Sequence, residues 1–277
     1  MILSTQNPLV RAYSLIKDRT LFESAWVRRQ FSRAYFFYKE HVESPYAGLV
    51  RLHPELFRGG HILDIGANIG YTATLFAKVV APQFKIYAFE PDPTNFAMLG
   101  ETINESPYQN KIVPVHAAIG QQEGMVELWR DPTSHGDRRV CTPEFKGALL
   151  GSTPDLVRVP LLSIDGFFAS EQIYSPPCFM KIRVQGYELP VFLGMQRTLD
   201  SNPDLIVAFM YLPGVMKLLG FEPRDLIEFF ISKGFEFYTI TRRGRVYALP
   251  NPMSQLNSNL LRKGYVELLL SRKPLAL

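Results

Sequence analysis

Apolar residues recur at helical spacing through residues 21–41, "LFESAWVRRQFSRAYFFYKEH". Leu21, Phe22, Ala25, Trp26, Phe31, Ala34, Tyr35 and Tyr38 define one face, and the opposite face is basic. The spacing predicts a helix, and residues 1–55 read as a helical extension, with Asn7 capping a turn that opens at Pro8. Such a helix packs on the main body or on a second copy, which would give a homodimer through the N-terminal helices. The other readings are a lid over a substrate pocket and a membrane-surface helix.

From His61 the period changes. "HILDIG" is a short apolar strand, "NIGYTATLFAKVVA" a helix closed by Pro82, "KIYAFEP" a strand, "DPTNFAMLGETINES" a helix and "KIVPVHAAIG" a third strand. This alternation predicts a parallel sheet with helices on both faces, over residues 56–277. "MVELWR" reads as a further strand, and residues 131–155 as a long loop with no clear pattern. "VRVPLLSIDGFF" runs from a strand into a short helix. "CFMKIRV" and "DLIVAFMYL" are strands, separated by the helix "ELPVFLGMQRTLD". "EPRDLIEFFISKGF" is a helix with Gly234 at its end, "EFYTITRRGRVYAL" a hairpin turning at Arg243 and Gly244, and "YVELLLSR" a last strand. The expected architecture is a mostly parallel, seven-stranded, Rossmann-like α/β sheet.

Composition changes this picture little. The chain has 277 residues, 47% hydrophobic and 20% charged, with a net charge of +4. That is ordinary globular composition, and too weakly basic to argue for nucleic acid. The basic residues gather late: Arg242, Arg243, Arg245, Arg262, Lys263, Arg272 and Lys273 face only Glu267 after Thr241. They read either as a solvated edge or as a docking site for an anionic substrate or surface. Cys141 and Cys178 are far apart, and the five histidines show no metal-ligand spacing. No secretory leader and no membrane span is evident, so a reducing, cytoplasmic setting is expected.

The chemistry concentrates in "ILDIGANIG". Gly66 and Gly70 let the backbone turn tightly beside a ligand, at the positive end of a helix. Asp64 precedes the turn, where a carboxylate can reach an ammonium group directly or through water. Glu90 ends the second strand, where it can accept both hydroxyls of a ribose. A nicotinamide dinucleotide wants G-x-G-x-x-G, and here the second glycine is replaced by Asn68. An acid before the loop favours a cationic ligand, and so S-adenosylmethionine. A dinucleotide, or glycines that only turn the chain, are the alternatives.

These residues carry a resemblance. "ILDIGANIGYTATLFAK", "YAFEPDPTNFAMLGETIN", "VHAAIGQQEGMVEL", "LLSIDGFF" and "FMKIRVQGYELPVFLGM" follow one another as in the FkbM-type methyltransferases. That family is class I, Rossmann-like and S-adenosylmethionine-dependent, and many members act on hydroxyls of natural products or sugars. The resemblance implies a small-molecule or glycan acceptor. It implies that Asp64, Gly66, Ala67, Asn68 and Gly70 line the methionine part of the cofactor. Glu90 would then hold the ribose, and Pro91, Asp92, Ala117 and Ala118 would lie around the adenine.

The same resemblance exposes a departure. The family's fourth strand typically reads Lys-Ile-Asp-Val-Glu/Gln-Gly, and this chain has Arg183 in place of the aspartate. Its fifth strand usually carries a glutamate where this chain has Ala208. Lys181, Gln185, Gly186 and Glu188 keep the pattern. An arginine stays protonated and only donates, so it replaces a base with a cation. Its stem is expected to lie over Ala208. Three explanations stand: a cofactor-binding pseudoenzyme, an acidic acceptor that pairs with Arg183, or a structural Arg183 bridged to Glu188 or Asp165. Arg183, Gln185 and His116 are the candidate catalytic residues. His135, Tyr71, Tyr187 and Tyr211 could also reach the acceptor.

Overall fold

The computed structural model describes residues 24–130, 138–149, 154–256 and 264–275. His135, Arg262, Lys263 and the predicted cap at Asn7 lie outside the described residues. The strands are β1 (His61–Ile65), β2 (Ile86–Phe89), β3 (Ile112–Val115), β4 (Ala118–Ile119), β5 (Gly124–Arg130) and β6 (Arg138–Val140). They continue with β7 (Leu156–Leu162), β8 (Pro177–Ile182), β9 (Ile206–Tyr211), β10 (Glu236–Ile240), β11 (Val246–Ala248) and β12 (Val266–Ser271).

The main sheet has the order β11-β10-β12-β9-β8-β1-β2-β3. From β3 to β9 every pairing is parallel, while β12 pairs antiparallel with both β9 and β10. This is the Rossmann-like α/β sheet that the alternating pattern predicts. It has eight strands where seven were expected, because the tail of the predicted hairpin, β11, pairs along the edge of β10. The turn lies where expected: Gly244 takes φ +81° and its N–H donates to the Thr241 carbonyl.

Three readings need correction. "KIVPVHAAIG" is not one strand. It splits into β3, at the edge of the main sheet, and β4, which joins a second sheet ordered β4-β7-β5-β6. Pro114 has no N–H to donate, and the edge position of β3 tolerates that. Residues 131–155 are not all loop. They contain β6 and a helix, Pro143–Ala148, whose Thr142 hydroxyl accepts from the Phe145 N–H at 3.2 Å. The N-terminal helix also leaves part of its expected apolar face outside, as described below.

Aromatic layers hold helices to both faces of the sheet. On one face Phe192 meets Phe230 at 4.5 Å between ring centroids, with Phe209 beneath them. On the other, Phe57 lies 4.4 Å from Phe179 and 5.2 Å from Phe76. Each of these rings is fully buried and contributes about 1.5–3 kcal/mol by leaving water.

Four helices position the site: α1 (Ala25–Tyr38), α2 (Tyr46–Leu52), α3 (Tyr71–Ala77) and α4 (Pro93–Asn104). A π-helical turn, Lys39–Glu43, continues α1. Tyr46 and Leu49 of α2 are buried in the Phe57–Phe76–Phe179 layer, so this part of the extension shares the core of the sheet. In α1, Phe31, Tyr35, Phe36 and Tyr38 are half-buried, while Trp26 and Ala34 are exposed. Phe31, Tyr35 and Tyr38 of the expected apolar face do turn inward, with Tyr35 and Tyr38 lining a cavity rather than a packed core, while Trp26 and Ala34 stay outside. Its basic residues turn toward α4: Arg28 donates to Glu101 at 2.7 Å, and Arg29 pairs with Glu105. No helix among the described residues is long and apolar enough to cross a membrane.

Candidate functional site

Parallel strands end together at the carboxyl edge of the sheet, where open α/β folds leave a crevice. Here the crevice is a cavity of about 410 Å³ between the ends of β1, β2 and β8 and the roof formed by α1 and its π turn.

The floor begins at β1. Gly66 takes φ +77°, and a β-carbon there would lie 2.2 Å from the Arg183 carbonyl oxygen, so no other residue fits. Asn68 takes φ +52°, a conformation that asparagine tolerates, and its side-chain oxygen accepts from the Ile69 N–H at 2.8 Å. Gly66, Ala67 and Asn68 line the cavity. Gly70, at φ +93°, packs against Leu99 instead and lets α3 begin.

Glu90 ends β2 on the cavity wall and is almost fully buried. Its carboxylate accepts from the backbone N–H of Asn68 at 2.8 Å and of Asp92 at 3.0 Å. Burial pushes its carboxyl up to about 7, against the pull of those hydrogen bonds. Pro91, Ala117, Ala118 and Ile119 line the wall beside it.

Several predicted residues lie elsewhere. Asp64 is fully buried and does not reach the cavity. Its carboxylate accepts from Lys181 at 2.9 Å and from the Thr72 hydroxyl at 2.5 Å. Lys181 stands between Asp64 and the cavity, and burial depresses its ammonium while Asp64 pulls the other way. Asp92 is a cap, not a cavity residue. It accepts from the N–H groups of Thr94 and Asn95 and, at 3.0 Å each, from Arg130 and Arg138. His116 is exposed, stacks on Phe96 at 4.6 Å and lies outside the cavity. Tyr211 spends its hydroxyl on the Pro223 carbonyl, whereas Tyr71 and Tyr187 do line the cavity.

Arg183 lines the cavity at the end of β8, with Gln185 close after it at φ +56°. Its expected partners are wrong. Glu188 turns inward to accept from the Val184 N–H, and burial lifts its carboxyl to about 7. Asp165 anchors the N–H groups of Arg197 and Thr198. The Arg183 guanidinium instead meets Glu267 at 3.1 Å, Glu43 at 3.4 Å and the Met210 sulfur at 3.2 Å. Its stem does not lie over Ala208 either. Ala208 is level with Lys181, while Met210 and Glu267 lie opposite each other one step further on.

Glu43 is the residue that strand-by-strand reading missed. It belongs to the N-terminal roof, lines the cavity and is bonded to Lys39 as well as Arg183. Burial favours its protonation, and the two cations outweigh that, holding its carboxyl below the ordinary range. Tyr35, Tyr38, Lys39 and Tyr265 line the cavity around Glu43 and Arg183, while Arg138, bonded to Asp92, lines it nearer Glu90. The one sequence signal was the i, i+4 spacing of Lys39 and Glu43 at the end of an aromatic helix.

The Methyltransferase FkbM domain matches residues 64–237, most of the chain, from the end of β1 to the start of β10. The chain belongs to the FkbM methyltransferase family. It is 26% identical over 164 residues to the hexuronic acid methyltransferase AglP of Haloferax volcanii. That match covers 59% of this chain and 58% of the relative, so it spans less than two thirds of the relative's length. Among solved structures, the FkbM methyltransferase of Methylobacillus flagellatus superposes with a TM-score of 0.49 at 15% identity. That alignment covers 95% of this chain and 58% of that one. An O-methyltransferase of Bacillus cereus in complex with SAH gives 0.48 at 15% identity, over 92% and 90% of the two chains. The FkbM match begins at Asp64, so Glu43 and the whole roof lie outside it.

Proposed function

We propose that the chain is an S-adenosylmethionine-dependent methyltransferase that acts on a hydroxyl oxygen of a small molecule or sugar. Glu90 carries this reading. It is a buried carboxylate on the cavity wall whose carboxyl burial lifts to about 7 despite two backbone hydrogen bonds. A vicinal diol supplies the further donors that would favour its ionised form.

The residues fit the cofactor at that end. Glu90 would hold the ribose hydroxyls, Gly66, Ala67 and Asn68 would run beside the amino-acid chain, and Pro91, Ala117 and Ala118 would flank the adenine. Asp64 would act through Lys181 and Thr72, which both bond it and line the cavity. The bound cofactor supplies an electrophilic methyl group.

The protein's own share is to orient the acceptor and receive its hydroxyl proton. No carboxylate stands at position 183. Glu43 lines the same part of the cavity and stays ionised between Lys39 and Arg183, so it can orient the hydroxyl by accepting its hydrogen bond, while the two cations make it a weak base for the proton itself. Arg183 is then a positioning residue. Tyr35, Tyr38 and Tyr265 give flat faces of the kind that sugars stack on, and the hexuronic acid relative supports a sugar acceptor.

One observation favours a second reading, a protein that binds the cofactor without turnover. The guanidinium of Arg183 is pinned between Glu43 and Glu267, where the family usually carries an aspartate. Calorimetric titration with S-adenosylmethionine, S-adenosylhomocysteine and NAD tests the cofactor claim. Micromolar binding of the adenosyl ligands that is lost in Glu90→Ala is the expected result. Binding of NAD alone, or of nothing, ends the methyltransferase reading. Tight binding with no transfer to neutral sugars or uronic acids would leave the second reading standing.

A further inference from the structure

The inner side of α1 lines the cavity, but its outer side has no part in the site. It exposes Trp26 (67%) and Phe37 (65%), and Val42 (43%) continues the stripe past the helix end. Arg33 is exposed on the same stripe, one turn before Phe37. His41 stacks on the Phe37 ring at 4.2 Å.

The stripe runs directly into the arginine hairpin between β10 and β11. Arg242 donates to the Val42 carbonyl at 3.2 Å. The hairpin tip rests on α2, where a β-carbon at Gly48 would lie 2.2 Å from the Arg243 carbonyl oxygen. Arg51 and Leu52 follow Gly48 by one helical turn, so they flank the tip, and both are exposed. Arg243 and Arg245 are exposed as well. Among the described residues, no carboxylate forms an ion pair with Arg33, Arg51, Arg242, Arg243 or Arg245. Of the nearby acids, Glu43 is turned inward onto Lys39 and Arg183, Glu105 is paired with Arg29, and Glu55 lies beside His53. That leaves the exposed Glu40.

Singly exposed apolar residues are normal on any protein. Here they interleave with arginines along one continuous face, and that pairing selects a partner. Rings and aliphatic side chains enter the boundary of the acyl chains, while guanidinium groups meet headgroup phosphates and carboxylates. Nucleic acid would match the charge but leaves Val42 and Leu52 without a partner. A second copy docked by a two-fold axis would set arginine against arginine.

We infer that this face docks the protein on an anionic lipid surface, with Trp26 and Phe37 as apolar anchors and the hairpin arginines as the electrostatic contact. Because α1 also roofs the cavity, docking places that roof against the lipid.

Cosedimentation of the full chain with phosphatidylcholine vesicles, with and without phosphatidylserine, tests this. Binding is expected only when phosphatidylserine is present, and it falls as salt rises. The triple variant R242E/R243E/R245E binds at least about tenfold more weakly while melting at the parent temperature. If that variant does not fold, the surface pair R33E/F37S asks the same question on the helix alone, and it must also weaken binding. Equal binding to neutral vesicles overturns the proposal, as does undiminished binding by a folded variant. It also fails if an RNA homopolymer binds through these arginines more tightly than vesicles do. A dimer that F37S dissociates, with no affinity for vesicles, overturns it too.

Discussion

The Arg183 guanidinium reaches across the β9 residue Met210 to the Glu267 carboxylate of β12, 3.1 Å away. The three residues form one row at the carboxyl edge of the sheet, and Glu43 closes the row from the roof. The Tyr46 hydroxyl lies 3.4 Å from the same Glu267, so core, sheet and roof meet at this cluster. Arg183 is therefore a neutralising centre, and restoring an aspartate would do more than restore a base. Arg183→Asp sets three carboxylates together where one cation stood. Breaking an ion pair that is mostly buried costs about 3 kcal/mol. Chemical denaturation should register a loss of that order. The double variant Arg183→Asp with Glu267→Gln should recover part of it, and failure to recover any would mean that Glu267 is not the principal partner.

With Glu90 as the proposed ribose acceptor, cofactor affinity depends on pH. The Glu90 carboxyl is raised to about 7 by burial, well above the value of an exposed glutamate. A group raised in the folded state contributes stability at low pH and loses it as pH rises through the folded value. The apo protein should therefore lose stability between about pH 4.5 and pH 7, with buried Glu188 acting in the same direction. A ribose diol binds the ionised carboxylate, so binding of S-adenosylhomocysteine should strengthen as pH rises. From pH 6 to pH 8 the ionised fraction grows about tenfold, and the association constant should follow it. Glu90→Gln should bind weakly and with little pH dependence over that range. A parent profile as flat as the variant's would remove Glu90 from the ribose site.

The sheet was legible because its grammar is local. Strands such as "HILDIG" and "KIYAFEP" are short apolar runs that end in Gly or Pro, and each is followed by a helix, which opens at Gly70 in one case and at the Asp92 cap in the other. Two strands of the second sheet, β5 and β7, are legible, but β6 is not, because it is three residues long and two of them are arginines. The floor of the cavity was legible for the same reason as β1, since the glycine turn and Glu90 follow their strands directly. Asp64 and Asp92 stand out in the sequence as acids beside the glycine turn and the second strand, but the protein partners they meet do not. Both are neutralised by cations distant in sequence, Lys181 for one and Arg130 with Arg138 for the other. Glu43 was invisible for that reason too, lying 140 positions from the arginine it meets. Local pattern predicts elements and turns; it does not predict which charges meet across the fold.

Gly66 tests the close approach of two backbones. Its φ of +77° is strained for any other residue, and an added β-carbon meets backbone atoms of Arg183, which cannot swing aside. Gly66→Ala must push β8 away from β1 at the cavity floor. A loss of roughly 3 kcal/mol is expected from the conformation and the clash together. Gly100 on α4 has open space around its α-carbon and is the control. Gly100→Ala should be neutral or stabilise the helix by up to about 1 kcal/mol. Thermal melts of the two variants side by side read the difference, and equal melting temperatures would contradict the clash.

Asp92 separates holding the cavity from lining it. Its carboxylate caps α4 and gathers Arg130 and Arg138, and so ties the second sheet to the main one beside the cavity wall at Glu90. Asparagine keeps the cap, because its side-chain oxygen still accepts from Thr94 and Asn95. It loses the charge that the two arginines share. Asp92→Asn should therefore cost stability through the arginines, about 1–3 kcal/mol. Asp92→Ala should cost about 1 kcal/mol more by removing the cap as well. Since Asp92 does not touch the cavity, affinity for S-adenosylhomocysteine should fall less in Asp92→Asn than in Glu90→Gln. Calorimetry on the two folded variants decides it. A larger loss in Asp92→Asn would mean that the link between the sheets, and not the carboxylate on the wall, sets the shape of the cofactor site.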